Sequence, residues 1–295
     1  MNVPYLPMLA TAAAPFDAAD YLFEVKWDGV RALALADGSG WRLWGRHGVD
    51  YQPRYPELDV LRRLPSGTVV DGELVVLRDG RADFPALLGR HQARRPEVIA
   101  AAAASQPVQY ILFDLLAVRG RCCCAEPLEQ RRARLEALLT DLAEPRLAYS
   151  AGVVEAGCDW FAQVVAAGHE GVMAKQRASR YRPGRRSPAW RKIKPAQERV
   201  CLILGFVPSR DAVPRLLLAA AEAGALRYVG DLRHGAGRAW PRLRAAARRP
   251  QPLVPCAQAA CWLEPLWYCR VRHQGWTKHG LLRHAVFTGW LEAPK

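Results

Sequence analysis

The stretch EVKWDGVR occupies residues 24–31, and its Trp27-Asp28-Gly29 separates two apolar-rich runs at residues 21–26 and 30–36. Because Trp-Asp-Gly is typical of a tight turn, the two runs are predicted to be neighbouring antiparallel strands. A turn sequence at residues 37–40 precedes a third run at residues 41–45, so the pattern indicates an antiparallel meander. A lysine that ends a strand before such a turn directs its amine toward the cleft that the sheet borders.

That lysine, Lys26, is a candidate nucleophile. Its amine must be unprotonated to attack a phosphate, which requires neighbouring cations or desolvation to lower its pKa. Arg31, on the following strand, can bind ribose or phosphate. A KxDGxR pattern is weak by itself, and the alternative interpretation is a solvated hairpin turn.

Two acids and an aromatic residue extend this candidate site. Asp71 and Glu73 interrupt an otherwise apolar strand, residues 69–77, where acids are costly to bury without a role. They can hold a ribose hydroxyl or a metal ion, and the alternative is a bulge with exposed acids. Phe113, in the apolar run 108–118, can stack on a base or can simply belong to the core.

Further charged residues follow in the sequences EGVMAK and WRKIK. Glu170 stands at a predicted strand start, where its carboxylate suits Mg²⁺; the alternative is an exposed loop glutamate. Lys192 and Lys194 lie two residues apart on one strand and therefore share a face. Both can point at a triphosphate, or they can simply be exposed on a basic edge of the sheet.

The chain is predicted to be α+β, because its strands and helices mix without regular βαβ alternation. Helices are predicted at residues 56–64, 84–91, 96–105 and 127–139. On the last of these, Arg131, Arg132 and Arg134 are expected on the polar side.

After Pro195, short strand-like runs surround one Arg-rich helix, predicted at residues 238–249. This texture predicts a small β-barrel of the OB-fold type, a class that binds nucleic acid. We therefore divide the chain into a first domain, residues 1–197, and an OB-fold domain, residues 198–295.

The net charge of +14 indicates a polyanionic partner, since each neutralised phosphate releases counterions. Residues 198–295 hold 15 of the 42 Lys and Arg but only 6 of the 28 acids. The alternative is a solubilising surface. The eight cysteines lack metal-ligand spacing and are expected to be reduced thiols. With no apolar stretch of about 20 residues and no signal-peptide pattern at the start, a cytoplasmic location without a membrane is expected.

Five ordered motifs resemble those of the covalent nucleotidyltransferases, namely the ATP-dependent DNA ligases with RNA ligases and mRNA capping enzymes as relatives. These motifs are KWDGVR, DGE, FDLL, EGVMAK and WRKIK. Longer stretches, at residues 113–121, 168–195 and 282–287, are similar to bacterial ATP-dependent ligases of non-homologous end joining. The resemblance covers essentially the whole chain.

The resemblance implies an ATP-dependent DNA ligase in which Lys26 becomes adenylated. Glu24 would lie at the exocyclic amine of adenine and Phe113 on the adenine face. Arg31 and Glu73 would contact the ribose. The implied nucleotide is ATP, and NAD⁺ is not expected because the domain that reads its nicotinamide half is missing from the sequence.

The resemblance also assigns the residues around the phosphates and the DNA. Glu170, together with Glu73, would bind Mg²⁺ or Mn²⁺, while Lys192 and Lys194 would contact the ATP phosphates. Arg46 would contact the 5′-phosphate of a nick. The implied partner is nicked duplex DNA, with end-joining repair proteins as further partners and a monomer as the expected state.

Asp28 and Arg283 are likewise assigned to the DNA side, Asp28 acting mainly after adenylation. Arg283 matches the last family motif, but the Asp-Lys pair that should follow is absent unless Glu292 and Lys295 substitute imperfectly. Self-adenylation is therefore expected to be slow. Two alternatives stay open: an RNA ligase or capping-type enzyme, and a step-defective protein that binds nicks without sealing them.

Overall fold

The computed structural model describes residues 5–209, 213–222, 224–277 and 279–291. The chain divides into two compact units, Met1–Lys194 and Pro195–Lys295. This division falls three residues before the domain end proposed from the sequence. Within the described ranges, no helix is both long and apolar enough to cross a membrane.

In its described residues, the first unit has thirteen strands with helices packed against them. Its strands are β1 (Leu9–Ala12), β2 (Ala18–Val25), β3 (Val30–Asp37), β4 (Gly40–Gly45), β5 (Thr68–Val75), β6 (Leu77–Arg78), β7 (Arg81–Ala82), β8 (Gln109–Val118), β9 (Arg121–Cys122), β10 (Leu147–Tyr149), β11 (Gly152–Glu155), β12 (Val172–Gln176) and β13 (Arg186–Ile193). Its helices are α1 (Phe84–Gln92), α2 (Pro96–Ser105), α3 (Leu128–Leu142) and α4 (Gly157–Ala166), with 3-10 helices at Gln52–Arg54 and Pro56–Arg63.

Two mixed sheets carry the site of this unit. The first sheet has the order β1-β13-β12-β2-β11, and the second has the order β10-β8-β5-β3-β4 with β9 beside β8. The predicted meander is observed only for its second and third strands: β3 pairs antiparallel with β4 as expected, but its other neighbour is β5 and not β2. β2 belongs to the first sheet and β3 to the second, so the turn at residues 26–29 connects two sheets and not two paired strands.

Strand β8 carries a bulge that positions Phe113. Asp114 pairs with Asp71 and Leu112 pairs with Gly72, which leaves Phe113 as the extra residue. A bulge adds one residue to a strand and re-aims its side chain. Phe113 packs in a different buried cluster from Leu112, and the extra residue lets Leu115 return to the cluster of Leu112.

Helix α3 packs on β8 through leucines such as Leu135 and Leu139, which are buried in the main core. The expectation that Arg131 and Arg132 face solvent is wrong, because their exposed fractions are 0% and 4%. Both have buried acids as partners, which is the usual condition for burying a guanidinium. Arg134 alone of the three is exposed on this helix.

The described residues of the second unit form a mainly antiparallel sheet with one helix. Its elements are β14 (Gln197–Val207), β15 (Arg215–Glu222), β16 (Ala225–Leu232), α5 (Ala236–Leu243), β17 (Arg248–Arg249), β18 (Cys261–Leu263), β19 (Tyr268–His273) and β20 (Val286–Trp290). The order is β16-β15-β14-β18-β17, and β19 pairs with both β14 and β20. Helix α5 ends earlier than predicted, since Arg248 and Arg249 pair with β18 as a strand. The α+β class is thus observed in its coarse form.

All eight cysteines lie in described parts of the chain and are free thiols. Cys201 and Cys269 are buried opposite each other on β14 and β19. The expectation of reduced thiols agrees with this arrangement.

Candidate active site

A cavity of about 250 Å³ lies in the first unit, between its two sheets. The first sheet contributes polar side chains from β2, β12 and β13, and the second contributes side chains from β3, β5 and β8. The lining residues are Leu9, Ala10, Glu24, Val25, Lys26, Trp27, Arg31, Arg46, Glu73, Phe113, Met173, Lys175, Arg186, Trp190 and Lys192. Seven of the residues proposed from the sequence are among them.

Strand register explains why residues far apart in sequence meet here. On neighbouring strands, Met173 stands opposite both Glu24 and Lys192. Immediately beyond the paired residues, the backbone N–H of Lys26 donates to the carbonyl of Gly171 at 2.8 Å. The end of β2, the start of β12 and the end of β13 therefore form one edge of the sheet.

At this edge, Glu170 accepts hydrogen bonds from two lysines. Lys26 Nζ donates to one carboxylate oxygen and Lys194 Nζ to the other. Burial acts to raise the pKa of Glu170, but the two ammonium groups outweigh burial and hold the pKa below its usual value. Three residues proposed from separate motifs thus form one cluster.

Gly171 allows this close approach. Its φ of +139° lies in a region that side chains disfavour, and a Cβ there would come within 2.2 Å of the Ile193 carbonyl oxygen. The strand edge that presents Glu170 consequently needs glycine at the next position.

Lys192 also lines the cavity, while Lys194 reaches the site through Glu170. Desolvation lowers the pKa of Lys192, and the nearby ammonium groups of Lys194 and Lys26 lower it further. An anion in the cavity would relieve this repulsion.

On the second sheet, Arg31 and Glu73 stand opposite each other on β3 and β5. Arg31 donates two hydrogen bonds to Asp71, at 2.9 Å and 2.6 Å, and its guanidinium carbon lies 5.1 Å from the Phe113 ring centroid. Asp71 also accepts a 2.6 Å hydrogen bond from Tyr181. Asp71 therefore fixes Arg31 rather than facing the cavity.

Glu73 has no ion-pair partner within the described chain. Desolvation raises the pKa of Glu73 to about 8, against the opposing influence of Lys26 and Arg31. An unpaired carboxylate at a cavity wall can accept hydrogen bonds from hydroxyl groups or can bind a metal ion.

Phe113 forms the inner wall of the cavity with Trp190, in an edge-to-face pair with centroids 6.1 Å apart. The buried ammonium of Lys175 lies 4.0 Å from the Phe113 centroid and 4.5 Å from that of Trp190. Desolvation lowers the pKa of Lys175, although Glu24 opposes it. Phe113 is thus both a core residue and a cavity residue.

Glu24 is buried, with an exposed fraction of 1%. One carboxylate oxygen pairs with Arg132 and the other lies 2.6 Å from Lys175 Nζ. The predicted base-reading residue therefore lies at the innermost part of the cavity, held by two cations.

The three residues proposed for DNA occupy different places. Arg46 is exposed at the cavity mouth. Asp28 lies near Glu170, and its pKa is raised, first by desolvation and then by that carboxylate. Arg283 is exposed in the second unit, where its backbone N–H donates to the Gly275 carbonyl at 2.9 Å. Glu292 and Lys295 lie outside the described residues.

Sequence reasoning missed Lys175, Trp190, Arg132 and Arg186 as site residues. Lys175 and Trp190 lie at even spacing from Met173 and Lys192, so period-2 alternation could have placed them on the cavity face. Arg132 carried no such signal, since its partner Glu24 is 108 residues away. Arg186 lay in a loop-like Pro/Gly/Arg stretch but begins β13.

The available donors fit a hard divalent cation. Glu73 and Glu170 are carboxylates of the same site, and Mg²⁺ is commonly held by one or two carboxylates plus substrate phosphates. The described residues contain no cluster of three or more His, Cys, Asp or Glu that could hold a metal ion alone. The residues thus suit a metal ion that arrives with phosphate, not a closed structural site.

Comparison with protein families agrees with this geometry. Residues 7–194 match the family described as ATP dependent DNA ligase domain, and residues 209–293 match the ATP dependent DNA ligase C terminal region. This chain belongs to the ATP-dependent DNA ligase family. The family and its adenylation-domain fold were both expected from the motifs, and both are confirmed.

Similar curated proteins include the multifunctional non-homologous end joining protein LigD of Pseudomonas aeruginosa. It is 35% identical over 97% of this chain but only 35% of its own length. The SPbeta prophage-derived DNA ligase-like protein LigB of Bacillus subtilis is 26% identical, over 96% of this chain and 97% of its own. This ligase-family chain thus spans about a third of the LigD relative.

Among solved structures, the ligase domain of M. tuberculosis LigD is similar over 97% of this chain and 95% of that domain. The TM-score is 0.59 and the sequence identity is 30%. A mycobacterial DNA ligase D complexed with ATP and MES gives a TM-score of 0.58 at 28% identity, over 99% of this chain and 96% of that one.

Proposed function

We propose that this member of the ligase family seals 5′-phosphate/3′-hydroxyl nicks in duplex DNA through a lysyl-AMP intermediate on Lys26. One observation carries the proposal. The Lys26 amine stands at the edge of a cavity whose inner part is aromatic and whose outer part is cationic. A purine nucleotide has the matching distribution, with a flat base at one end and phosphates at the other.

In the first step the Lys26 amine, after losing a proton, attacks the α-phosphorus of ATP. The N–P bond forms as the bond to pyrophosphate breaks, and the charge on the departing pyrophosphate grows. Lys192 and Lys194 are close enough to the site edge to offset that charge. Transfer through lysine divides one difficult condensation into easier displacements.

Lys26 must first exchange its partner. In the structure its ammonium pairs with Glu170, and an ammonium has no lone pair with which to attack. We assign Glu170 and Glu73 to the divalent cation, Mg²⁺ or Mn²⁺, which supplies positive charge beside the phosphates when bound. A carboxylate engaged by that cation would no longer hold the lysine.

The remaining residues serve the nucleoside and the DNA. Phe113 would face the adenine, Glu24 its exocyclic amine, and Arg31 with Glu73 the ribose. In the second step AMP moves from Lys26 to the nick 5′-phosphate, for which Arg46 at the cavity mouth is a binding group. In the third step the 3′-hydroxyl attacks that phosphorus, the O–P bond forms and AMP leaves; Asp28 and Arg283 would act on this DNA side.

We further propose that the second unit is an OB-fold and contacts the duplex. The antiparallel strands and the one helix of its described residues support that assignment, as does its match to the family's C-terminal region. End-joining repair is the process named for the LigD relatives, and we propose it for this chain. In this proposal residues 1–197 are the adenylation domain and residues 198–295 are the DNA-contacting domain.

The test uses a nicked duplex labelled at the nick 5′-phosphate, incubated with Mg²⁺ in the presence and absence of ATP. Joined product is expected only with ATP. Lys26→Ala should give neither product nor labelled protein with α-labelled ATP, and Lys26→Arg should fail equally because guanidinium is not deprotonated. The control Arg191→Ala changes a neighbouring cation whose guanidinium packs on Phe16 and Tyr21.

Three outcomes would contradict the proposal in different ways. Self-labelling that persists in Lys26→Ala refutes the nucleophile. Nick binding without joining, despite intact labelling, favours the step-defective alternative. Labelling by GTP in preference to ATP favours a capping-type enzyme.

A further inference from the structure

Arg132 is a buried arginine that holds together the inner end of the cavity. From helix α3 its guanidinium donates to the Glu24 carboxylate, to the Phe113 carbonyl at 3.2 Å and to the Ser150 carbonyl at 2.7 Å. The same group lies 4.5 Å from the Tyr149 ring centroid. One planar side chain therefore connects both sheets at the point where they enclose the cavity.

Two of these contacts reach cavity-lining residues. Glu24 belongs to β2 of the first sheet, and Phe113 is the bulged residue of β8 in the second. The planar fork of an arginine can satisfy several acceptors at fixed angles, which a lysine cannot. Arg132 consequently sets where the Glu24 carboxylate stands relative to the aromatic wall.

The adjacent arginine on the same helix provides a comparison. Arg131 is equally buried, but it donates to Asp114 and to the carbonyls of Glu126 and Ser179. None of these partners lines the cavity. Arg131 and Arg132 are both buried, both positively charged and both on α3. They differ in that only Arg132 has partners that line the cavity.

The chemistry of Glu24 decides what such positioning does. A carboxylate that pairs with two cations only accepts hydrogen bonds. It is therefore complementary to the amino group at position 6 of adenine and opposed to the carbonyl at position 6 of guanine or hypoxanthine, which is itself an acceptor. A site that places a remaining carboxylate lone pair against another acceptor makes no hydrogen bond there and rejects that ligand.

We propose that Arg132 is a positioning residue that sets the nucleobase selectivity of Lys26 adenylation by fixing the Glu24 carboxylate. This inference rests on the proposed ligase function. It concerns the choice between 6-amino and 6-oxo purines and adds no new chemical step. Arg132 acts through Glu24 and does not touch the nucleotide.

The test measures self-labelling of the full chain with α-labelled ATP and with α-labelled ITP. Each observed rate constant is divided by the concentration of its nucleotide, and the ATP value is then divided by the ITP value. Because both nucleotides are used on one preparation, the ratio does not depend on the folded fraction. Arg132→Lys is expected to lower the ATP:ITP ratio about tenfold or more, the factor that a hydrogen bond to a charged group provides. Arg131→Lys should leave the ratio within about twofold of the unaltered chain.

A second arm asks whether Arg132 acts through Glu24. Glu24→Gln alone should lower the ratio, because an amide can present either a donor or an acceptor. In the Glu24→Gln background, Arg132→Lys should then change the ratio no further, as expected for coupled residues. A purely structural arginine would lower both rate constants in parallel and leave the ratio unchanged.

The outcomes separate this inference from the proposed function. If the unaltered chain is not labelled by ATP, the ligase proposal itself fails. If it is labelled but Arg132→Lys leaves the ratio unchanged, or Arg131→Lys lowers it as much, the positioning role is overturned. An equal effect of Arg132→Lys with and without Glu24→Gln would also overturn it.

Discussion

The two ends of the cavity differ in how their charges are balanced. At the inner end, formed by Glu24, Arg132, Lys175 and Phe113, the charges are buried and paired with one another. At the outer end, formed by Lys26, Arg46, Arg186 and Lys192, cations outnumber the acids. Within the described chain, neither Arg46, Arg186 nor Lys192 pairs with an acid.

The difference follows from what each end must receive. A base brings hydrogen-bonding edges but no charge, so the inner end can complete its ion pairs in advance and stay rigid. Phosphates bring several negative charges, so the outer end needs unpaired cations at the cost of mutual repulsion. We therefore expect changes at the inner end to affect stability and selectivity, and changes at the outer end to affect nucleotide affinity.

The largest expected effect lies just behind the inner end. Arg131→Leu leaves the fully buried Asp114 without its partner, and breaking a buried pair in this way costs about 3–5 kcal/mol of unfolding free energy. Urea denaturation measures the loss. The control is Arg134→Leu on the same helix, whose exposed pair with Glu126 is expected to matter by at most about 1 kcal/mol. Equal losses would show that burial does not separate the two arginines.

An intermediate effect is expected at the outer end. Lys192→Ala should raise the KM for ATP in self-labelling by about 10- to 100-fold, the value of a charged hydrogen bond, while the urea midpoint stays unchanged. The folded protein should not lose stability, because the ammonium of Lys192 is repelled by those of Lys194 and Lys26.

Arg191→Ala is the matched control for that change, because Arg191 is next in sequence but on the opposite face of β13. Its KM for ATP should stay within about twofold. A destabilised Lys192→Ala protein with an unaltered KM would contradict the distinction between the two ends.

The smallest effect is a pH dependence at Glu73, between the two ends. Its pKa is raised to about 8 in the folded chain from the ordinary value of 4.5. The folded state thus keeps a proton that the unfolded state has lost, and stability falls as the pH rises from about 4.5 to about 8. Glu73→Gln should remove this loss.

Thermal unfolding at pH 5 and pH 9 measures the Glu73 contribution. Since water reaches part of the side chain, we expect Glu73→Gln to be stabilising by on the order of 1–2 kcal/mol at pH 9 and nearly neutral at pH 5. Stabilisation of the same size at both pH values would point to packing instead of ionisation.

More of the outer end than of the inner end could be proposed from the sequence, although Arg186 at the outer end was missed. Lys26, Glu170 and Lys194 could be predicted to converge because each stands at a strand end or start, and strand alternation defines its face. Arg132 and Lys175 were missed because long cations are almost never fully buried unless paired. Their common partner, Glu24, is fixed only by the folding of distant strands.

The turn at residues 26–29 gives a second example. Trp-Asp-Gly indicated a hairpin, yet β2 and β3 enter different sheets. Local turn chemistry defines where a strand ends, but the choice of pairing partner depends on long-range contacts that no short pattern records.

Because of the bulge in β8, the Phe113 side chain is an extra residue in its strand. Tyr110, Leu112 and Leu115 all pack into the same core cluster, although an uninterrupted strand would alternate even and odd positions. Phe113 stands between a regular half-strand and one that carries a second register shift at Leu116, and its removal would leave Leu112 and Leu115 on the same face. A single-codon insertion or deletion at this place could therefore add or remove the aromatic wall of the site without inverting the rest of the strand.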